Sequence, residues 1–203
     1  MAFGDSRGSY HHGNLREALV EAALRMIAER GPTGFAFAEI ARAAGVSPAA
    51  PYRHFRDRTA LVVEVARRGF ERFADELARA TAATGHPVTA MEACGRTHLS
   101  FARREAASYA AMFQAVLPDD PALRQASDRA FAVVRRAADA ACAVATGRRP
   151  PALMVALHVW ALSHGIATLY VIDSRPLPMT PEDLLEAGLL VYLRSLGLEA
   201  PIT

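Results

Sequence analysis

Apolar residues recur at helical spacing along nearly the whole chain, and the strict alternation that marks strands is almost absent. Leu15, Leu19, Ala22, Ala23, Met26 and Ile27 share one face of a first helix. It starts after Gly13, with Asn14 as cap and Glu17 placed three residues later, and Gly31-Pro32 ends it. Phe35 and Phe37 precede a short second helix whose apolar face holds Ile40, Ala41 and Ala44. Gly45 suits a left-handed turn after it, and Val46 buries that turn. Ser47 then caps a third short helix, with Pro48 at its first position, where a missing N–H costs nothing. This helix ends near Phe55. Pro51 conflicts with it. As the fourth helical residue it lacks the N–H that bonds back to residue 47, so the spacing predicts a helix with a distorted start.

A fourth helix runs from Ala60 to about Ala80, carries Leu61, Val65, Phe73 and Leu77, and takes Asp57 or Thr59 as its cap. TAATGHPVT at 81–89 reads as a linker. Helices follow at about 89–103, 105–116, 121–146, 151–172 and 181–196, punctuated by PDDP and GRRPP. The last two are apolar on several faces. Either they pair across a subunit interface or they lie inside one large bundle. The pattern makes the fold class all-α: a small N-terminal helical domain followed by a larger helical one. The expected division is a flexible arm at 1–13, the helix-turn-helix domain at 14–58, a connecting helix at 59–80 and the larger domain at 81–200.

Composition narrows the function classes. The 203 residues are 52% hydrophobic, which excludes a largely disordered chain. Two cysteines, Cys94 and Cys142, make no disulfide framework. The opening residues are polar and Gly-rich, so no leader is expected. No run of 18 apolar residues occurs, so no membrane span is expected, and the location expected is cytoplasmic. All 23 basic residues are arginine and the net charge is +2. Residues 42–72 hold seven arginines against Asp57, Glu64 and Glu71, either a footprint for phosphate or a solvated helix face.

Two short helices around a glycine turn, braced by a helix on either side, form a helix-turn-helix unit. EIARAAGVSPAAPYRHFRDRTAL at 39–61 resembles the tetracycline-repressor-like (TetR family) transcriptional regulators. The matching residues are Ile40-Ala41, Ala44-Gly45-Val46-Ser47, Tyr52-Arg53-His54-Phe55, Arg58 and Leu61. YHHGNLREAL at 10–19 looks like an opening found in one branch. Trp160, His164 and Gly165 resemble the C-terminal domain type named after its Trp, His and Gly. The chain departs from the family pattern at Ala36, where a Ser or Thr cap is usual, at Arg58, where lysine is usual, and at Pro51, where Leu or Val is commoner.

The resemblance implies an all-α fold, a three-helix N-terminal domain with a helix-turn-helix plus a larger six-helix ligand-binding and dimerisation domain. It also implies a homodimeric, ligand-responsive repressor released from a palindromic double-stranded operator by a small molecule. In that reading Ser47, Tyr52, His54 and Arg58 meet phosphates, with Thr33 and Arg42 adding contacts. Arg53 reads a base edge, while Pro48, Ala49 and Ala50 allow close approach to the major groove. Tyr52 turns its ring toward the core. Arg7, His11 and His12 form either an arm on DNA or a free tail. Met91, Cys94, His98, Phe101, Tyr109, Phe113, Phe131, Met154 and His158 are pocket candidates, a composition that an ordinary helical core shares. Leu157, Trp160, Ala161, His164, Leu184, Gly188, Val191 and Tyr192 are candidates for the dimer face, Gly165 and Gly188 for close helix approach.

Catalysis is a poor reading. Cys94 and His98 share a helix face, yet no third ligand or orienting group accompanies them, and no phosphate loop, GxSxG or HExxH occurs. No catalytic residue, metal or cofactor is expected. The alternative to a regulator is a helical enzyme or small-molecule carrier that uses its N-terminal unit for non-DNA contacts.

Overall fold

The computed structural model describes residues 15–146, 148–172 and 178–199. Asn14, Arg7, His11 and His12 lie outside them. Among the described residues the architecture is helical throughout: α1 (Leu15–Arg30), α2 (Phe37–Ala43), α3 (Arg58–Ala82), α4 (Pro87–Arg104), α5 (Ala106–Phe113), α6 (Pro121–Ala143), α7 (Ala152–Ala167) and α8 (Pro181–Ser195). A 3₁₀ turn at Pro51–Arg53 separates α2 from α3, and a wider turn at 168–172 extends α7.

Side-chain caps start four of the eight described helices. Asp57 accepts from the Ala60 N–H, Asp120 from Leu123, and Thr180 from Asp183. Proline occupies the first turn of α4, α6 and α8. Ala36 has no side-chain oxygen to offer α2, so only the returning half of a capping box exists there. The Glu39 carboxylate accepts the Ala36 N–H at 2.7 Å. After α2, Gly45 adopts φ +69°; its N–H bonds the Arg42 carbonyl and the Val46 N–H bonds that of Ala41. This paired pattern stops the helix and turns the chain.

α3 is the organising element. Its buried stripe, including Leu61, Val65, Phe70, Phe73 and Leu77, meets α1 as well as α4, α5 and α6. The head formed by α1, α2 and the 3₁₀ turn therefore shares one long helix with the bundle behind it. Only residues 83–86 separate α3 from α4, a shorter joint than the linker expected at 81–89. By length and composition, 152–170 is apolar enough to cross a membrane, with mean hydropathy 1.6 over an 18-residue window. It nevertheless packs against α4, α6 and α8, and its Ser163 and Thr168 hydroxyls donate to the Val159 and His164 carbonyls.

Candidate nucleic-acid interface and buried polar core

The third helix expected at 47–55 is not a regular helix. Ala50 N–H bonds the Ser47 carbonyl at 3.0 Å, Arg53 bonds Ala50, and His54 bonds Pro51, all with three-residue closure. Pro51 is the cause: without an N–H it cannot continue a four-residue ladder. Ser47 contributes its carbonyl to the turn rather than a capping hydroxyl, and its side chain is exposed. Pro51 itself is buried, as is Phe55, so the segment is pinned at both apolar positions. Tyr52 differs from expectation too. It stays 63% exposed and rests edge-on against Phe37, ring centres 5.0 Å apart, instead of entering the core.

This conformation leaves a continuous exposed set at one end of the molecule: Thr33, Arg42, Ser47, Pro48, Ala49, Tyr52, Arg53 and His54, with Ala50 half-buried behind them. Of the seven arginines in 42–72, three are tied to carboxylates on the flank. Arg67 pairs with Glu64 and Glu71, Arg68 with Glu17 and Glu64, and Arg72 with Glu105. Arg56 pairs with its neighbour Asp57. Arg58 donates to the Thr33 carbonyl at 2.6 Å and the Phe35 carbonyl at 3.2 Å, bracing the loop before α2. Arg42, Arg53 and Arg58 have no carboxylate partner among the described residues; Arg42 and Arg53 are exposed, while Arg58 is half-buried on its two carbonyls.

Behind the head, Glu64 is a hub that the sequence reading did not single out. It is buried, and it accepts from Arg16, Arg67 and Arg68. Burial opposes its ionisation, but the three guanidiniums hold its carboxyl down at about 2. Arg16 also lies over the Phe55 ring, 5.1 Å from its centre, so the hub reaches the end of the recognition turn. The signal was in the chain: Glu64, Arg67 and Arg68 stand three and four apart on one helix.

In the bundle, His98, Tyr109 and His164 form one hydrogen-bonded chain. His98 Nε2 lies 2.9 Å from the Tyr109 hydroxyl, which lies 2.7 Å from His164 Nδ1. Phe73, Phe113 and Trp160 ring it. Burial drives the His98 imidazole down to about 3, with His164 adding to the effect, and it lowers His164 as well. The Tyr109 hydroxyl is pushed up by the same cause. Both histidines are neutral at pH 7, so the central hydroxyl donates to one ring and accepts from the other.

The pocket candidates divide accordingly. Met91, Cys94, Phe101 and Tyr109 are buried around His98, and Phe131 meets Trp160 at 5.5 Å. Phe113 borders a cavity of about 390 Å³ between α3, α5 and α6, lined also by Phe70, Met112, Leu117 and Leu123. Met154 is half-buried on the first turn of α7. His158 lies apart from the others: it is exposed, stacked on Tyr192 at 4.7 Å, and bonded to the Met154 carbonyl. Burial raises the Cys94 thiol to about 12, so it is not a nucleophile at neutral pH. Among the described residues no three His, Cys, Asp or Glu side chains converge as a metal site.

The dimer-face candidates divide as well. Trp160 and His164 turn inward to the aromatic core, because they share an α7 face on which Trp160 meets His98 of α4 and Phe131 of α6 and His164 meets the Tyr109 hydroxyl. Leu157, Ala161 and Val191 are exposed, with Leu153, Leu169 and Leu190 beside them on the same two helices or the turn after α7. Leu184, Gly188 and Tyr192 are half-buried. A Cβ on Gly188 would stand 3.0 Å from Leu162 Cδ2, so α7 and α8 do approach closely there; one on Gly165 would meet nothing within 4 Å.

Residues 19–65 match the model of the bacterial regulatory proteins of the tetR family, and residues 91–192, half of the chain, match a tetracyclin repressor-like C-terminal domain. The chain belongs to the TetR family. This TetR-family chain is 38% identical over 72 residues to the HTH-type transcriptional regulator BetI of Rhizobium meliloti, a match over 36% of each chain. It therefore spans about a third of that curated relative's length. A solved structure of a protein of unknown function from Rhodococcus sp. RHA1 is 31% identical, covering 94% of this chain and 99% of that one, with TM-score 0.77. AibR, solved in complex with isovaleryl coenzyme A and operator DNA, shares the fold at TM-score 0.65 and 16% identity, over 87% of this chain and 97% of that one.

Proposed function

We propose that this TetR-family chain is a ligand-responsive, sequence-specific DNA-binding transcriptional regulator, a repressor that acts as a homodimer on a palindromic operator and leaves it when a small molecule binds. The observation that carries this reading is the exposed set at one end, in which Arg42 and Arg53 lack carboxylate partners among the described residues and flank the small residues 47–50. Tyr52, His54, Thr33 and Ser47 supply phosphate contacts around them, and Arg53 reads a base edge. Arg58 serves this end by holding the loop that carries Thr33.

The dimer forms through α7 and α8, whose exposed Leu153, Leu157, Leu190 and Val191 give a helix pair an apolar face to bury. The effector occupies the aromatic bundle core beside the His98–Tyr109–His164 chain. Ligand and operator each favour a different arrangement of the two heads, and this differential affinity couples them. AibR, with an acyl thioester and operator in one complex, illustrates that this fold accommodates both.

Selection from a random duplex library by the purified protein tests the proposal. Enrichment of an inverted repeat is expected, with affinity falling steeply as salt rises. Failure to enrich any sequence would refute it and favour a carrier or enzyme.

A further inference from the structure

A groove of about 550 Å³ runs between the C-terminal half of α3 and α4, on the outside of the bundle. Glu76, Arg79 and Ala80 line it from α3; Arg96, Thr97, Ser100 and Arg104 line it from α4. Arg96, Ser100 and Arg104 stand four apart, so one helix face presents two guanidiniums with a hydroxyl between them. Arg104 is already oriented, by Glu76 and by the Ser100 hydroxyl at 3.3 Å. Arg96 is held only loosely, 3.7 Å from Glu92, and Arg79 has no carboxylate partner among the described residues. Three arginines thus face a single glutamate in the groove. Arg79 lies 21 residues along α3 from Arg58, about 30 Å at the helical rise, so these charges are remote from the head. The core site of the proposed effector lies inside the bundle, and this groove is separate from it.

We propose that this groove binds a phosphate-bearing small molecule, with its phosphate oxygens on Arg79, Arg96 and Arg104 and hydrogen bonds from Thr97 and Ser100. Guanidinium forks match phosphate oxygens two at a time, and three of them on two helices can hold a phosphate-bearing group from two sides. Arg104 is pre-set, whereas Arg96 exchanges a weak surface contact for the ligand.

Isothermal titration with inorganic pyrophosphate at low salt tests the assignment on the full chain. One saturable site per chain is expected. The R79Q/R96Q double variant should weaken it at least tenfold. R135Q/R136Q, which removes the same charge from the exposed face of α6, should leave it within twofold. Circular dichroism establishes that each variant is folded. Equal weakening by both variants, absence of a saturable site, or binding to phosphatidylglycerol vesicles without binding to free pyrophosphate would each overturn the proposal. Operator selection by R79Q/R96Q should match that of the parent chain, so loss of this groove and failure of the regulator reading are read out separately.

Discussion

Acid should destabilise this protein before its carboxylates titrate, and His98 is the main reason. The imidazole is 2% exposed and is driven from the ordinary 6.5 down to about 3. Folded, it stays neutral across that window; in the unfolded chain it takes up a proton below about pH 6.5. Acid therefore favours unfolding, and stability rises with pH from about 3 to 6.5. Each pH unit in the window is worth about 1.4 kcal/mol per proton, so at pH 4.5 His98 alone removes roughly 3 kcal/mol. That is a large share of a typical 5–15 kcal/mol folding free energy, to order of magnitude. His164, also lowered by burial, adds in the same direction. The shifted carboxylates Glu17, Glu39, Asp57 and Glu64 are all lowered, from 4.5 or 3.8, so their contributions are lost only at more acid pH. The interval from 6.5 to 4.5 thus isolates the histidines. Urea unfolding followed by circular dichroism at fixed protein concentration, at pH 7.5, 6.5, 5.5 and 4.5, measures the slope. His98→Gln keeps a hydrogen-bonding group and cannot titrate, and should reduce the slope by about 1.4 kcal/mol per unit. An identical slope in the parent and the variant would show that His98 does not carry the linked proton.

Other expectations follow from single contacts. Glu64→Gln leaves three guanidiniums facing a neutral amide and should destabilise by about 3–5 kcal/mol by chemical denaturation; a loss under 1 kcal/mol would mean the hub is no more than a surface pair. Its parent carboxylate contributes stability above pH 4.5 that disappears as pH falls toward 2. Arg58→Gln removes two bonds to loop carbonyls, should cost about 1.5–3 kcal/mol, and should speed hydrogen exchange in residues 33–36; unchanged exchange there would sink the bracing role. Pro51→Ala restores an N–H four residues after Ser47 and should convert the recognition turn toward regular helix, read as a slowly exchanging amide at position 51; a fast amide would assign the distortion to something other than proline. Cys94 and Cys142 are buried with raised thiol values and should react with a thiol reagent only on unfolding.

Periodicity along this chain was sufficient for every expected helix but the third, because each α-helix buries a stripe spaced three and four apart and local signals mark its ends. α6 and α8 begin at the residues that Pro121 and Pro181 announce, and Gly45 makes the turn that its lack of a side chain permits. The helix-turn-helix motif was legible for the same local reason. Pro51 was legible as a conflict, since a missing donor can be counted in one dimension; only the folded segment decided that the conflict resolves into a 3₁₀ turn with Tyr52 held outside on Phe37.

The sites depended on distance in space. His98, Tyr109 and His164 are 11 and 55 residues apart along the chain, and their chain of bonds exists only because α4 packs against both α5 and α7. The facing of α7 was equally hidden. Residues 157 and 161 and residues 160 and 164 are all apolar or amphipathic, so the pattern alone cannot say which pair meets the core. Local sequence, then, determined most of the helices and the helix-turn-helix motif, because backbone hydrogen bonding and capping act within a few residues. Tertiary structure decided which arginines remain available to an anion, which histidines lose their water, and which apolar face is left for a second chain, because charge pairing and desolvation depend on what other helices bring alongside.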